Sequence, residues 1–116
     1  MFFFFSLALQ TEVPRDQIAD ISGANYVKLI EKKPNNEVWF VMFSGSECPA
    51  CKAALPIFAE AANISAGMIR FGYVDVNQVP AVAEKFGIKS IPVFIIFHQK
   101  GHTIYEGERT ARDFLN

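Results

Sequence analysis

Val38-Trp39-Phe40-Val41-Met42-Phe43-Ser44-Gly45-Ser46-Glu47-Cys48-Pro49-Ala50-Cys51-Lys52 is the stretch on which the reading of this chain turns. Val38 to Phe43 is apolar without alternation, the pattern of a strand covered on both faces and so central in an α/β sheet. Beyond the loop the period changes. Cys51, Ala54, Leu55, Phe58, Ala61 and Ala62 fall on one helical stripe. The spacing puts Cys51 on the buried face and leaves Cys48 ahead of the first full turn, where it can face solvent. A thiol there feels the positive end of the helix dipole and unpaired backbone N–H groups, both of which favour thiolate. Pro49 removes an N–H that the first turn would leave unpaired anyway. Pro56, inside the helix, should kink it.

On either side, strand and helix patterns alternate. Gln17 to Ile21 is a short strand candidate, and Ser22 caps a predicted helix running to about Lys33, with Tyr26, Leu29 and Ile30 on one face. Pro34-Asn35-Asn36 ends it. Ile69 to Val76 reads as the next strand. Pro80 opens a short helix with Val79, Val82, Ala83 and Phe86 inward and Gly87 at its close. Val93 to Phe97 is a second apolar strand, and Lys100-Gly101 turns it into an antiparallel partner over His102 to Glu106. Thr110-x-x-Asp113 is a capping box for a last helix that stops at Asn116, the expectation being a helix cut short. The order β-α-β-α-β-α-β-β-α calls for a mixed sheet with helices on both faces.

The chain of 116 residues is 51% hydrophobic and 20% charged, which predicts one globular domain over residues 11–116. A formal net charge of −1 gives no electrostatic basis for binding nucleic acid. Residues 1–10 hold an apolar run, Met1-Phe2-Phe3-Phe4-Phe5-Ser6-Leu7-Ala8-Leu9, too short to span a bilayer. It reads as a signal-peptide remnant with a cleavage site after Ala8, although no basic residues precede it. An edge strand or an apolar tail is the alternative. Asn63-Ile64-Ser65 is a glycosylation sequon of low specificity.

The chain has two cysteines, and their C-x-x-C closes too small a loop to serve as a staple. Two uses remain: redox chemistry, or half of a metal site. In the first, one thiolate attacks a substrate disulfide and the other resolves the mixed disulfide. In the second, His98 and His102 complete a Cys2His2 set with Cys48 and Cys51, at a separation unlike that of compact zinc sites.

The combined pattern resembles a thioredoxin-fold domain of the protein disulfide isomerase family from Gln17 to Asn116. The resemblance rests on Cys48-Pro49-Ala50-Cys51-Lys52, Pro56, Val74-Asp75-Val76-Asn77, Phe86-Gly87-Ile88-Lys89-Ser90-Ile91-Pro92 and Tyr105-x-Gly107-x-Arg109-x-Ala111. The Cys-Pro-Ala-Cys centre is similar to that of membrane-anchored thioredoxin-related members, which implies an anchor beyond the chain. The resemblance implies a thioredoxin-like three-layer α/β sandwich, with Cys48 as attacker and Cys51 as resolver. It implies that Pro92 is a cis-proline facing the thiols, with Ile91 and Pro49 beside the substrate. Arg109 corresponds to an arginine that approaches the resolving thiol and favours its thiolate; an ordinary surface residue is the competing reading. It places His98 about 20 Å from the thiols, at ~3.3 Å per strand residue, against zinc.

Two positions depart from the family. Met42 stands where a buried acid usually assists the resolving thiol, and Glu47 stands where Trp usually precedes the attacker. Glu47 opposes thiolate formation, against the helix dipole. The expected activity is thiol–disulfide oxidoreductase or isomerase, without cofactor or metal, on protein thiols and disulfides. Its redox partner would be glutathione or an oxidase or reductase, in the endoplasmic reticulum or secretory path. The alternatives are a redox-silent binding or chaperone module, favoured by Met42 and Glu47, and a cytoplasmic reductant of thioredoxin type.

Overall fold

The computed structural model describes residues 14–115. The apolar run of residues 1–10 lies outside the described residues, and so does Asn116. The elements are β1 (Ile18–Asp20), a π-helical turn (Val27–Glu31), β2 (Trp39–Ser44), α1 (Pro49–Ser65), β3 (Arg70–Asp75), α2 (Pro80–Lys85), β4 (Val93–His98), β5 (Gly101–Tyr105) and α3 (Ala111–Phe114). The five strands form one sheet in the order β1-β3-β2-β4-β5. β1 and β2 run parallel to β3, while β4 is antiparallel to both β2 and β5. This is the α/β sandwich that the pattern predicts.

β2 has partners on both sides, and its alternating side chains feed two separate cores. Trp39, Val41 and Phe43 face one layer with Tyr26, Ile30, Val79 and Val82. Phe40 and Met42 face the other with Cys51, Ala54, Phe58 and Phe114. Phe40 is the hub of that second layer, with the rings of Phe58, Phe71, Phe94, Tyr105 and Phe114 at centroid distances of 5.3–6.2 Å.

The first helix differs from the expected one in form. Ser22 caps only the turn that leads into it, its Oγ accepting from Ala24 N and Asn25 N while Asn25 Oδ1 accepts from Ser22 N, and the helical segment itself starts from Tyr26 without a side-chain cap. The segment then widens into a π turn closed by Lys32 N donating to Val27 O, and it ends before Lys33. Pro34 has no N–H with which to extend the ladder.

Pro56 lies within α1, whose 17 residues end at Ser65 and are capped by Ala66 in the left-handed region, at φ 52°. Within the sequon, Ser65 is buried and its hydroxyl bonds to both N and O of Ile69. No helix among the described residues is long and apolar enough to cross a membrane.

Candidate active site

β2 ends at Ser44, and four residues later the chain enters α1 at Cys48. Ser44 O accepts from Val76 N at 2.8 Å, which ties the strand end to the segment leaving β3. Asp75 Oδ1 accepts from Asn77 N at 2.9 Å, and Asn77 Nδ2 donates to Ser46 Oγ at 3.2 Å. The quoted motif Val74-Asp75-Val76-Asn77 therefore buttresses the cysteine loop from the side.

Cys48 is the N-cap of α1, and its Sγ accepts from Cys51 N at 3.1 Å. Cys48 and Cys51 form a disulfide. After reduction, the same N–H would stabilise a thiolate on Cys48, because a hydrogen bond to the charged form favours it. The exposures of the two sulfur residues rank as the helical stripe requires, 9% for Cys48 and 2% for Cys51. Cys48 is nevertheless more covered than its place before the first turn suggested. Its Sγ lies 3.9 Å from Ile91 O, so the Ile91–Pro92 segment rests against it. The Ile91–Pro92 peptide bond is cis. Ile91 is half-buried and Pro92 buried, whereas Pro49 is exposed at the helix start.

Met42 is fully buried in the same apolar cluster as Cys51, so the position the family usually gives to an acid is here a thioether. Glu47 is exposed and takes φ 54°, a left-handed conformation immediately before Cys48. Arg109 is exposed, with its guanidinium 5.9 Å from the Phe94 ring centroid. It borders a cavity of about 330 Å³ whose wall includes Pro92.

The two histidines do not join the cysteines. His98 ends β4, at the end opposite Val93 and Pro92, with Nε2 2.9 Å from Thr103 Oγ1 and Nδ1 accepting from Lys100 N. His102 lies against the rings of Phe86 and Phe97. Among the described residues no cluster of three His, Cys, Asp or Glu is arranged for a metal.

Several features of the site escape a reading by motif. The left-handed backbone at Glu47 carries no signal in its side chain. The close fit at Gly45 is geometric, since a Cβ there would lie 2.8 Å from Ile91 Cδ1 and displace the end of that side chain. The Ser46–Asn77 bond joins residues distant in sequence. The contact of Tyr105 with the turn carrying Arg109 shows in the sequence only as the Tyr-x-Gly spacing.

The whole arrangement, from β1 to the end of the described chain, falls within residues 17–116, which match the family described as Thioredoxin. This chain belongs to the thioredoxin family. The thioredoxin domain is 31% identical over 81 residues to human DnaJ homolog subfamily C member 10, covering 70% of this chain and 10% of that protein. It is 28% identical over 100 residues to the protein disulfide-isomerase A6 homolog of Caenorhabditis elegans, covering 84% of this chain and 22% of that one. The chain thus spans 10–22% of the length of these relatives. Full-length ERdj5 superposes with a TM-score of 0.81 at 20% identity, over 86% of this chain and 15% of that chain, a likeness of fold. A thioredoxin domain carrying a Cys48–Cys51 pair at the start of α1 is in class a dithiol–disulfide oxidoreductase.

Proposed function

We propose that this thioredoxin domain exchanges electrons with protein thiols and disulfides through Cys48 and Cys51, as an oxidase or isomerase of the secretory path. The observation that carries the reading is the Cys48–Cys51 disulfide, capped by the α1 N-terminus and lying under the cis Ile91–Pro92 segment. In the reducing direction, the Cys48 thiolate attacks one sulfur of a substrate disulfide. A mixed disulfide forms and one substrate thiolate leaves. Cys51 then gives up its proton and attacks Cys48 Sγ, which releases the second substrate thiolate and regenerates the intramolecular disulfide. Two electrons pass to the substrate. In the oxidising direction a substrate thiolate attacks Cys48 Sγ and the same bonds are exchanged in reverse. Isomerisation begins with the first exchange: the released substrate thiolate attacks another substrate disulfide, and the thiolate this frees attacks the substrate sulfur of the mixed disulfide and expels the Cys48 thiolate, with no net electron transfer.

Cys48 is assigned as attacker because it keeps the greater exposure and receives the helix N–H, and Cys51 as resolver because it is sealed in the core. Ile91, whose carbonyl lies against Cys48 Sγ, together with the following Pro92 and the helix-start Pro49, would hold the substrate backbone. Arg109 would favour the Cys51 thiolate during resolution, and Glu47 would oppose the Cys48 thiolate. The similarity to proteins named disulfide isomerase and ERdj5 supports the endoplasmic reticulum, with glutathione or a dedicated oxidase as redox partner. The membrane anchor implied by the Cys-Pro-Ala-Cys resemblance belongs to the same proposal.

Disulfide turnover by wild type and by Cys48→Ser tests the activity, and Cys51→Ser should trap the mixed disulfide. If wild type is no faster than Cys48→Ser, the enzyme reading fails and the binding module, favoured by Met42 and Glu47, replaces it. Equilibration with glutathione gives direction: a potential near −180 mV supports oxidase or isomerase, and one near about −270 mV a thioredoxin-type reductant.

A further inference from the structure

Between β5 and α3 the chain makes a tight excursion through Glu106, Gly107, Glu108 and Arg109. Among the described residues no backbone–backbone hydrogen bond reaches Gly107, Glu108 or Arg109. What holds them is a side chain. Tyr105 Oη donates to Glu108 O at 2.6 Å, a short bond across three residues. The phenol lies directly beneath Gly107, where a Cβ would meet Tyr105 Oη at 2.5 Å and Cζ at 2.7 Å. Glycine is the residue that lets the turn close onto the ring. The ring in turn is fixed from below, edge-on to Phe40 at 5.4 Å and against Phe114 at 5.3 Å. One residue beyond the bonded carbonyl, the Arg109 guanidinium sits over Phe94 at the border of the cavity that Pro92 helps to wall.

We propose that Tyr105 is a positioning residue for Arg109: its hydroxyl clasps the turn through the Glu108 carbonyl and holds the guanidinium over Phe94 at the Pro92 side of the thiol site. The link to the sulfurs is short in the fold, since Pro92 follows Ile91, whose carbonyl touches Cys48 Sγ. The phenol is protonated at neutral pH and able to donate, and burial first and then the carboxylates of Asp113 and Glu108 raise its pKa further above the ordinary tyrosine value. The guanidinium has no ion pair among the described residues, so its placement depends on the turn and on the Phe94 ring. The functional consequence rests on the proposed role of Arg109 toward Cys51; the clasp itself does not.

Tyr105→Phe removes one oxygen and keeps the ring. Two measurements then separate the clasp from the role of Arg109. The first is the Arg109 Nε–Hε proton resonance, which the Phe94 ring current displaces while the guanidinium is docked. Losing a hydrogen bond of ordinary strength lowers the docked-to-undocked ratio about fivefold, so the displacement should shrink in Tyr105→Phe. Gly107→Ala, which forces the turn off the phenol, should do the same. An unchanged resonance in both variants overturns the proposal. The second is the pH profile of mixed-disulfide resolution by Cys51. Tyr105→Phe should shift it in the direction of Arg109→Gln by a smaller amount, and should add nothing in the Arg109→Gln background. A Tyr105→Phe effect that persists undiminished without Arg109 overturns the proposal, because tyrosine would then act by another route. If Arg109→Gln alone leaves the profile unmoved, it is the role of Arg109 that fails, and the resonance alone decides the clasp.

Discussion

Glu47 combines two costs in one residue, and a pair of substitutions separates them. Its φ of 54° puts a side chain in the left-handed region, which costs an L-residue roughly 1–2 kcal/mol. Its carboxylate, exposed in the residue next to Cys48, would oppose the thiolate that the helix terminus favours. Glu47→Gln removes the charge and keeps the backbone penalty. Glu47→Gly removes both, although glycine gives back about 0.5–1 kcal/mol through the freedom it adds to the unfolded chain.

For charges about 7 Å apart in water, Coulomb's law gives about 0.6 kcal/mol, or nearly threefold in thiolate population. Screening at physiological salt, with a Debye length of about 8 Å, reduces that to about 1.5-fold. Alkylation of Cys48 by iodoacetamide in the Cys51→Ser background reads this directly. Both variants should react about threefold faster than Glu47 at low ionic strength and below the thiol titration, with the gain shrinking as salt is added. The glycine variant should also unfold at the same or a higher temperature than the glutamine variant. Equal reactivity of Gln and Glu at low salt would refute the electrostatic half. A glycine variant less stable than the glutamine one would refute the conformational half.

Three further outcomes follow from the packing. Gly72→Ala should lower stability by about 1–3 kcal/mol through overpacking, because its Cβ would stand 2.5 Å from the buried Ile21 Cδ1 in the middle of the sheet; thermal unfolding measures it, and a wild-type melting temperature contradicts it. Met42→Glu should cost about 2–4 kcal/mol for an acid in an apolar core while accelerating resolution by Cys51, with Met42→Leu as the packing control; a folded Met42→Glu variant that resolves at the wild-type rate would show that the missing acid is not what limits the site. Burial is the main cause that raises both Tyr26 and Tyr105 above the ordinary tyrosine range; the unfolded chain therefore loses these protons first as pH climbs past about 10, so stability falls in that window, and denaturant melts of Tyr26→Phe should show a shallower fall than wild type.

The parts legible in the sequence were those written in local chemistry. The unbroken apolar run before the cysteines marked β2 as central, and the structure gives it a strand partner on each side and a core on each face. The helical period beyond Cys48 separated the two sulfurs, and their exposures rank in the expected order. The Thr110-x-x-Asp113 cap was equally readable, with Asp113 N donating to Thr110 Oγ1. Conformation without a side-chain signature was not legible. Glutamate gives no hint of a left-handed backbone, and the π turn at Val27–Glu31 has the apolar spacing of an ordinary helix. That the Ile91–Pro92 end of β4 meets the thiols came only through the family resemblance, and no local pattern gives it, because it depends on where β4 begins relative to α1.

That covering bears on how the site must work. In the disulfide form both sulfur residues are largely enclosed, and the element lying against Cys48 is the one proposed to hold the substrate. On the proposed reading a substrate sulfur would reach Cys48 past the exposed Ser46, Glu47 and Pro49, because Cys51 is sealed in the apolar layer and Ile91 O lies against Cys48 Sγ. Glu47, exposed and left-handed immediately before Cys48, would border that approach. Its charge would then act on an incoming substrate as well as on the thiolate, with opposite consequences for a basic and an acidic segment. Slow turnover on one substrate and ordinary turnover on another of opposite charge would come from the same residue, without any loss of the underlying exchange chemistry.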